Sequence, residues 1–235
     1  MATENGNNGR AAGRVLETAD VELFEHIEKN LYTSVLADSL DELGLREQAV
    51  RETIRPLSPD LVFAGWARTI ACMDVYHVDE DPYGVEIEAV DSLMPGEIAV
   101  VATGDSKRNA PWGELLSTAA LGRGARGAVI DGLVRDVKKI QALGFPVFAA
   151  GIKPVDSRGR GLVVDYNVPV DCGGVPVTPG DLVVGDFDGV VVIPARAVTD
   201  VVRLATEKVM RENQSRAELM KGKLLREVYR KYGVL

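Results

Sequence analysis

An α/β fold in a single domain over residues 18–235 is predicted for this 235-residue chain by three features of its sequence. Between Pro82 and Ala149, apolar residues at helical spacing alternate with short strand-like runs. From Gly151 to Pro194, Val-rich runs such as GLVVDY, DLVVGD and GVVVIP lie between Gly and Pro turns, as in a β-rich unit, and no linker separates the halves. From Ala195 to Tyr232 a long charged helix, or a pair of helices, is expected, with Glu207/Arg211 and Glu212/Arg216 at i,i+4 spacing.

The first 17 residues read as a loose polar tail. Asp20 to Leu31 then sets Leu23, Phe24, Ile27 and Leu31 on one helical face, with Thr18 or Asp20 as the cap. In TSVLADSLDELG, Leu36, Leu40 and Leu43 repeat the spacing, and Gly44 stands where a left-handed terminator belongs. GWARTIACMDVY, Gly65 to Tyr76, is strand-like. Pro82 to Met94 is helical, stopped by Pro95-Gly96 before the strand EIAVVA. A helix from about Glu114, a strand Gly127 to Ile130, a loop through Asp136, a helix Val137 to Leu143 and a strand Pro146 to Ala149 follow.

Composition narrows the function. Hydrophobic residues at 46% and charged residues at 26% are an ordinary globular balance, and a net charge of −8 disfavours a nucleic-acid backbone as partner. The opening tail lacks the apolar core of a signal peptide, and no apolar run approaches the roughly 18 residues of a membrane helix. Cys72 and Cys172 form no CxxC pair, so neither a disulfide framework nor a zinc site is suggested and a cytoplasmic setting is expected. With only His26 and His77, histidine-rich metal sites are excluded.

Two motifs have structural readings. GRGARG, Gly122 to Gly127, matches a dinucleotide fingerprint in letters, but it follows a helix and opens a strand, the reverse of the required polarity, so it reads as a helix terminus and turn. DFDG, Asp186 to Gly189, lacks the remaining ligands of a calcium loop and reads as a tight β-turn. The loop HVDEDPYG, with His77, reads as a solvated charge run or else as a substrate-facing loop, and Arg158 and Arg160 of KPVDSRGRG either select a second carboxylate or have no such role.

Chemistry concentrates in WGELL and GAVIDGLVRD. Gly113 before Glu114 either opens a helix whose Leu115 and Leu116 amides receive an anion, favoured by the helix dipole, or is an ordinary helix start in which Glu114 complements that dipole. If Ala128 to Ile130 is a buried parallel strand, Asp131 to Asp136 lies at its C-terminal end, where open α/β folds bind ligands. Arg135 suits bidentate recognition of a carboxylate. Asp136 either caps the next helix or supplies a hard oxygen to Mg²⁺ or Mn²⁺. The two segments flank one helix-strand unit, so both can meet at one end of the sheet; Asp131 reads as a loop-stabilising residue beside Gly132.

The run GELLSTAALGRGARGAVIDGLVRDVKKIQALGFPVFAAG, continued by NVPVDCGGVPVTPGDLVVGDFDGVVVIP, resembles the RraA-like family, which includes 4-hydroxy-4-methyl-2-oxoglutarate (HMG/CHA-type) aldolases and regulators of ribonuclease E. The resemblance runs from roughly Ser34 to the C-terminus. It implies an α/β fold with a central β-sandwich and swivelling-type ββα core, flanking helices and a long C-terminal helix, assembled as trimers or hexamers. It implies that Gly113, Glu114, Leu115 and Leu116 bind a pyruvate carboxylate, Arg135 holds the keto acid and Asp136 ligates a divalent metal, Mg²⁺ or Mn²⁺. Glu114 would stand in the outer metal environment, completed by a C-terminal-helix glutamate from a neighbouring subunit, Glu212 or else Glu207. The function so implied is a metal-dependent class II aldolase releasing pyruvate from a 2-oxo acid, with oxaloacetate decarboxylase activity. The alternatives are a protein-binding regulator of an RNA-degrading enzyme and a related lyase acting on another 2-oxo acid.

Overall fold

The computed structural model describes residues 15–234, so most of the tail expected over residues 1–17 lies outside the described residues. Helix α1, Thr18–Asn30, begins one residue after its cap, which is Glu17 rather than Thr18 or Asp20. Asp20 sits at the third helical position and its carboxylate accepts the Glu17 amide at 3.0 Å, closing a reciprocal capping box. Helix α2, Thr33–Glu42, ends at Leu43, with Gly44 at φ 78 as the sequence predicts.

The chain then enters the sheet through β1, Arg55–Pro56, and β2, Phe63–Asp74, followed by α3, Gly84–Asp91, and β3, Glu97–Ala102. Helix α4, Glu114–Gly122, leads to β4, Gly127–Val134, and α5, Val137–Leu143, leads to β5, Val147–Ile152. The β-rich region supplies β6, Gly161–Tyr166, β7, Val170–Cys172, β8, Val175–Val177, β9, Leu182–Asp186, and β10, Gly189–Ile193. A short 3₁₀ turn precedes α6, Val198–Leu219, and α7, Leu225–Tyr232, so the C-terminal region is a pair of helices.

Strands β3, β4 and β5 run parallel, and β2 joins β3 in parallel but β9 antiparallel. The eight-stranded sheet has the order β1-β5-β4-β3-β2-β9-β10, with β6 pairing β2 off this path. Its two edges approach each other. The Val50 amide donates to the Val190 carbonyl at 3.0 Å and the Val192 amide to the Gln48 carbonyl at 2.8 Å, while β1, a few residues on, pairs with β5. One segment thus laces both edges, and the sheet curls nearly closed, its two halves facing across one interior.

Strand alternation explains where the cores sit. Ile98, Val100, Val129, Phe148, Val183, Val190 and Val192 point inward and pack with Phe63 and the β7–β8 hairpin. Their neighbours Ala99, Val101, Ala128, Ile130, Val147 and Ala149 point outward under α3, α4 and α5. Leu182, Val184, Val191 and Ile193 point outward under α1, α2 and α6. Being covered on both faces, the parallel strands read as unbroken apolar runs.

One expectation is corrected. β4 does not stop at Ile130; it continues through Asp131, Gly132, Leu133 and Val134, with an irregularity against β5 between Ile130 and Leu133. Asp131 is buried in the strand, where its carboxylate accepts the Thr103 amide at 2.5 Å and the Thr103 hydroxyl at 2.7 Å. It therefore fastens the loop after β3, and Gly132 has no side chain because a Cβ would meet Thr103 Oγ1 at 2.5 Å.

A second charge is buried at the opposite end of β3. Arg68 and Glu97 are 2% and 3% exposed and form a two-pronged ion pair at 3.0 and 3.1 Å, with Glu97 also accepting the Met94 amide at 2.8 Å. Arg68→Ala is expected to cost about 3–5 kcal/mol in urea unfolding, because it strands the Glu97 charge, whereas Arg68→Met with Glu97→Gln should cost clearly less. Equal losses in the two proteins would refute this account.

Candidate active site

The site forms where the segment entering α4 runs beside the end of β4. Trp112 makes a parallel bridge with Val134, and the Arg135 amide donates to the Trp112 carbonyl at 3.0 Å. The buried Trp112 indole donates to Ser117 Oγ at 2.9 Å, and the Ser117 hydroxyl donates to the Gly113 carbonyl at 2.9 Å. The turn is therefore held from inside the helix as well as by the strand.

Gly113 is extended, at φ −150, so its backbone would suit any residue; space is what demands glycine. A Cβ there would lie 2.9 Å from Asp136 Oδ2, 3.1 Å from Arg135 Cγ and 3.2 Å from Arg135 Nε. Asp136 Oδ2 also accepts the Glu114 amide in a long contact of 3.5 Å. The Leu115 and Leu116 amides are first-turn donors that helix geometry leaves without an intrahelical acceptor, at the positive end of the α4 dipole. Glu114 accepts from Thr118 Oγ1 at 3.2 Å on the same first turn.

Asp136 occupies the N-cap position of α5 in a left-handed conformation, φ 60, ψ 28, and its side chain makes no cap hydrogen bond. The capping alternative is therefore not what the structure shows. A left-handed non-glycine residue costs about 1 kcal/mol or more, although aspartate tolerates it better than most. The exposed carboxylate is turned back onto the Gly113 turn.

Arg135 reaches the other way. Its Nη2 lies 3.1 Å from Asp156 Oδ1, while its Nε is 3.8 Å from Asp136 Oδ2, an ionic rather than a hydrogen-bonded approach. Asp156 Oδ2 accepts the Tyr83 hydroxyl at 2.5 Å. Burial works against the Asp156 charge, but the Tyr83 hydrogen bond, the Arg135 guanidinium and nearby backbone amides outweigh it and hold the carboxyl below its ordinary value. The hydrogen bond to Asp156, followed by burial, pushes the Tyr83 phenol up. Burial, then the Asp156 charge, pushes the Glu86 carboxyl up to about 7 against the opposing pull of Arg135.

The structure thus brings together Gly113, Glu114, Leu115, Leu116, Arg135 and Asp136. Asp156, Tyr83 and Glu86 were missed by sequence reasoning. Their segments, HVDEDPYG with the helix after it and KPVDSRGRG, carried a signal, but different residues of those segments take part. His77 is exposed, and Arg160 donates to the Asp156 and Arg158 carbonyls at 3.4 Å each. Within the single chain, Glu212 is not paired with Arg135 or Asp136: it accepts the Tyr32 hydroxyl and lines a groove with Asp38 and Arg216. Glu207 pairs with Arg203 at 3.1 Å. Among the described residues, no group of three or more His, Cys, Asp or Glu is arranged to hold a metal. Cys72 and Cys172 are free, and no helix among the described residues is long and apolar enough to cross a membrane.

The RraA-like family model, described as Aldolase/RraA, matches residues 33–192. A Halalkalibacterium halodurans protein, named provisionally as a 4-hydroxy-4-methyl-2-oxoglutarate aldolase, is 36% identical over 181 residues, covering 77% of this chain and 80% of that one. This chain belongs to the RraA-like family. A solved structure of Streptomyces coelicolor RraAS2, described as an unusual member of the RNase ES inhibitor RraA protein family, is 30% identical at a TM-score of 0.77 and covers 84% of this chain and 98% of that one. An uncharacterized Pseudomonas syringae pv. tomato protein superposes at a TM-score of 0.81 with 25% identity, over 93% of this chain and 96% of that one.

Two outcomes are expected from this geometry. Gly113→Ala should fold, since its φ is permissive, but overpacking against Asp136 and Arg135 should lower unfolding free energy by about 1–3 kcal/mol in a denaturant titration; wild-type stability would show that the turn gives way freely. For Glu86, a folded value near 7 lies above the ordinary 4.5, so its stabilising contribution is full below that lower value and is lost as pH rises through 7. Glu86→Gln should therefore gain on wild type by about 1–3 kcal/mol between roughly pH 4.5 and pH 8, and parallel stability curves for the two proteins would contradict the assignment.

Proposed function

We propose that the protein is a divalent-metal-dependent class II lyase that cleaves a 4-hydroxy-4-methyl-2-oxoglutarate-type 2-oxo acid to pyruvate and also decarboxylates oxaloacetate. One observation carries this reading: the first turn of a helix, an arginine and an exposed carboxylate converge on Gly113, whose missing side chain lets them pack this closely. The relative named for this aldolase activity supports it, at 36% identity.

The donor set fits a hard cation that keeps most of its water. Asp136 offers one exposed carboxylate, as Mg²⁺ or Mn²⁺ sites completed by water and substrate require; a neighbouring subunit's Glu212 or Glu207 would complete the surroundings. Such an ion would supply an electron sink at the 2-oxo group. The rest falls to the chain. Arg135 and the Leu115 and Leu116 amides bind the substrate carboxylate and stay aimed at the charge that grows as the C3–C4 bond breaks. Glu114, on the same turn, holds the proton leaving the C4 hydroxyl. As C4 becomes a carbonyl carbon and its fragment departs as a second 2-oxo acid, the C3–C4 electron pair passes to the remaining skeleton as an enolate, which regains a proton at C3 to give pyruvate. Decarboxylation of oxaloacetate leaves the same enolate.

The test is pyruvate release from the aldol substrate and from oxaloacetate, with Mg²⁺, with chelator, and in Arg135→Ala and Asp136→Ala. Turnover should require the ion and fall by two or more orders of magnitude, about 3 kcal/mol, in each variant. Turnover that survives chelation, or an Asp136→Ala protein of full activity, contradicts the mechanism. The likeness to RraAS2 favours a second reading, a regulator that binds an RNA-degrading enzyme. Absence of turnover on either substrate, with measurable inhibition of such an enzyme, would establish that instead.

A further inference from the structure

We propose that Asp156 is the positioning residue of this site, fixing the Arg135 fork for carboxylate binding and linking it, through Tyr83, to the loop that opens α3. Three observations support it. The Arg135 backbone is tied to Trp112, yet its side chain is 39% exposed, so only its partners can set the direction of the fork. Asp156 holds Nη2 at 3.1 Å, while Nε faces the Gly113 turn. Asp156 is itself held, by the Tyr83 hydroxyl at 2.5 Å and the Arg158 amide at 3.4 Å, so its carboxylate is a fixed post rather than a mobile counter-ion.

An arginine bound at one edge by a carboxylate keeps its remaining N–H groups pre-aligned for a second, planar acceptor. Without that post, the side chain would pay its rotamer freedom on every binding event. The link through Tyr83 makes the arrangement depend on a segment distant in sequence, and Glu86, one helical turn further along α3, adds a carboxyl next to Asp156 and Arg135. The groups that face Asp156 are therefore Tyr83 just before α3, Glu86 from α3, Arg135 just after β4 and Arg158 from its own loop.

This inference rests on the proposed binding of a 2-oxo acid at Arg135, and the experiment separates the two. Wild type, Asp156→Asn, Asp156→Glu and Tyr83→Phe are compared in two readouts, after thermal unfolding has confirmed that each is folded. The first is the rate at which phenylglyoxal labels Arg135, followed by peptide mass spectrometry, which needs no substrate. Labelling should speed up in Asp156→Asn, less so in Tyr83→Phe, and return toward wild type in Asp156→Glu. The second is kinetics on the aldol substrate and oxaloacetate, where Asp156→Asn should raise KM roughly tenfold, with a smaller change in kcat, as the loss of one charge-assisted contact predicts. Unchanged labelling of Arg135 in Asp156→Asn overturns the inference. If even wild type turns over neither substrate, the proposed function fails, and the labelling rates still decide whether Asp156 positions Arg135.

Discussion

The site depends on a backbone pairing between two short stretches, Trp112 beside Val134 and the Arg135 amide on the Trp112 carbonyl. This contact adds a segment to the C-terminal end of β4 and sets Gly113 directly against Arg135 and Asp136. Without it, the helix start and the two charged residues would belong to separate loops. With it, the missing Cβ lets the helix start, a guanidinium and a carboxylate pack against one another. The Trp112 indole and the Ser117 hydroxyl keep the turn from relaxing, because both bond inside it.

The sheet explains why these parts meet at one edge. β3, β4 and β5 are parallel, so the loops that leave their C-terminal ends emerge together: Thr103 to Gly113 after β3, Arg135-Asp136 after β4 and Lys153 to Arg160 after β5. Asp131 strengthens the arrangement by holding Thr103 at the base of the first of these loops. Near the other end of β3, the buried Arg68–Glu97 pair fastens the strand where Met94 enters it. Each buried charge on the β3–β4 pair is thus spent on fixing a strand end, and the interior between them stays apolar.

The parallel strands and the helices that cover them were legible because burial on both faces writes long apolar runs and the turns carry Gly and Pro. The boundary of β4 was not: Asp131-Gly132 looks like a loop until Thr103 is known to be its partner, a contact across sequence. The same is true of the site. Gly113, Glu114, Arg135 and Asp136 lie in two local motifs whose chemistry can be read in order along the chain. Asp156, Tyr83 and Glu86 act only through folding, which brings the loop after β5 against α3, and nothing local marks an aspartate in KPVDSRG as an arginine's partner. Asp136 was readable as a side-chain cap; its left-handed backbone, which no periodicity reports, turns the carboxylate away from that bond.

Charge balance then bears on how the site is used. Arg135 stands among the carboxylates of Asp136, Asp156 and Glu114, with Glu86 close by and half-protonated near neutral pH, and Arg160 reaches Asp156 only at its backbone carbonyl. The amide cluster adds only a partial positive charge. A 2-oxo acid brings its own carboxylate into this field, and each like-charge pair at about 4 Å costs on the order of 4 kcal/mol in surroundings of intermediate polarity. Arg135 cannot offset both Asp156 and the substrate at full strength. On the proposed reading, a divalent cation at Asp136 reverses the balance, so that the ion and the acid bind better together than either does alone, and the same carboxylates that repel a lone anion become the reason the pair is retained.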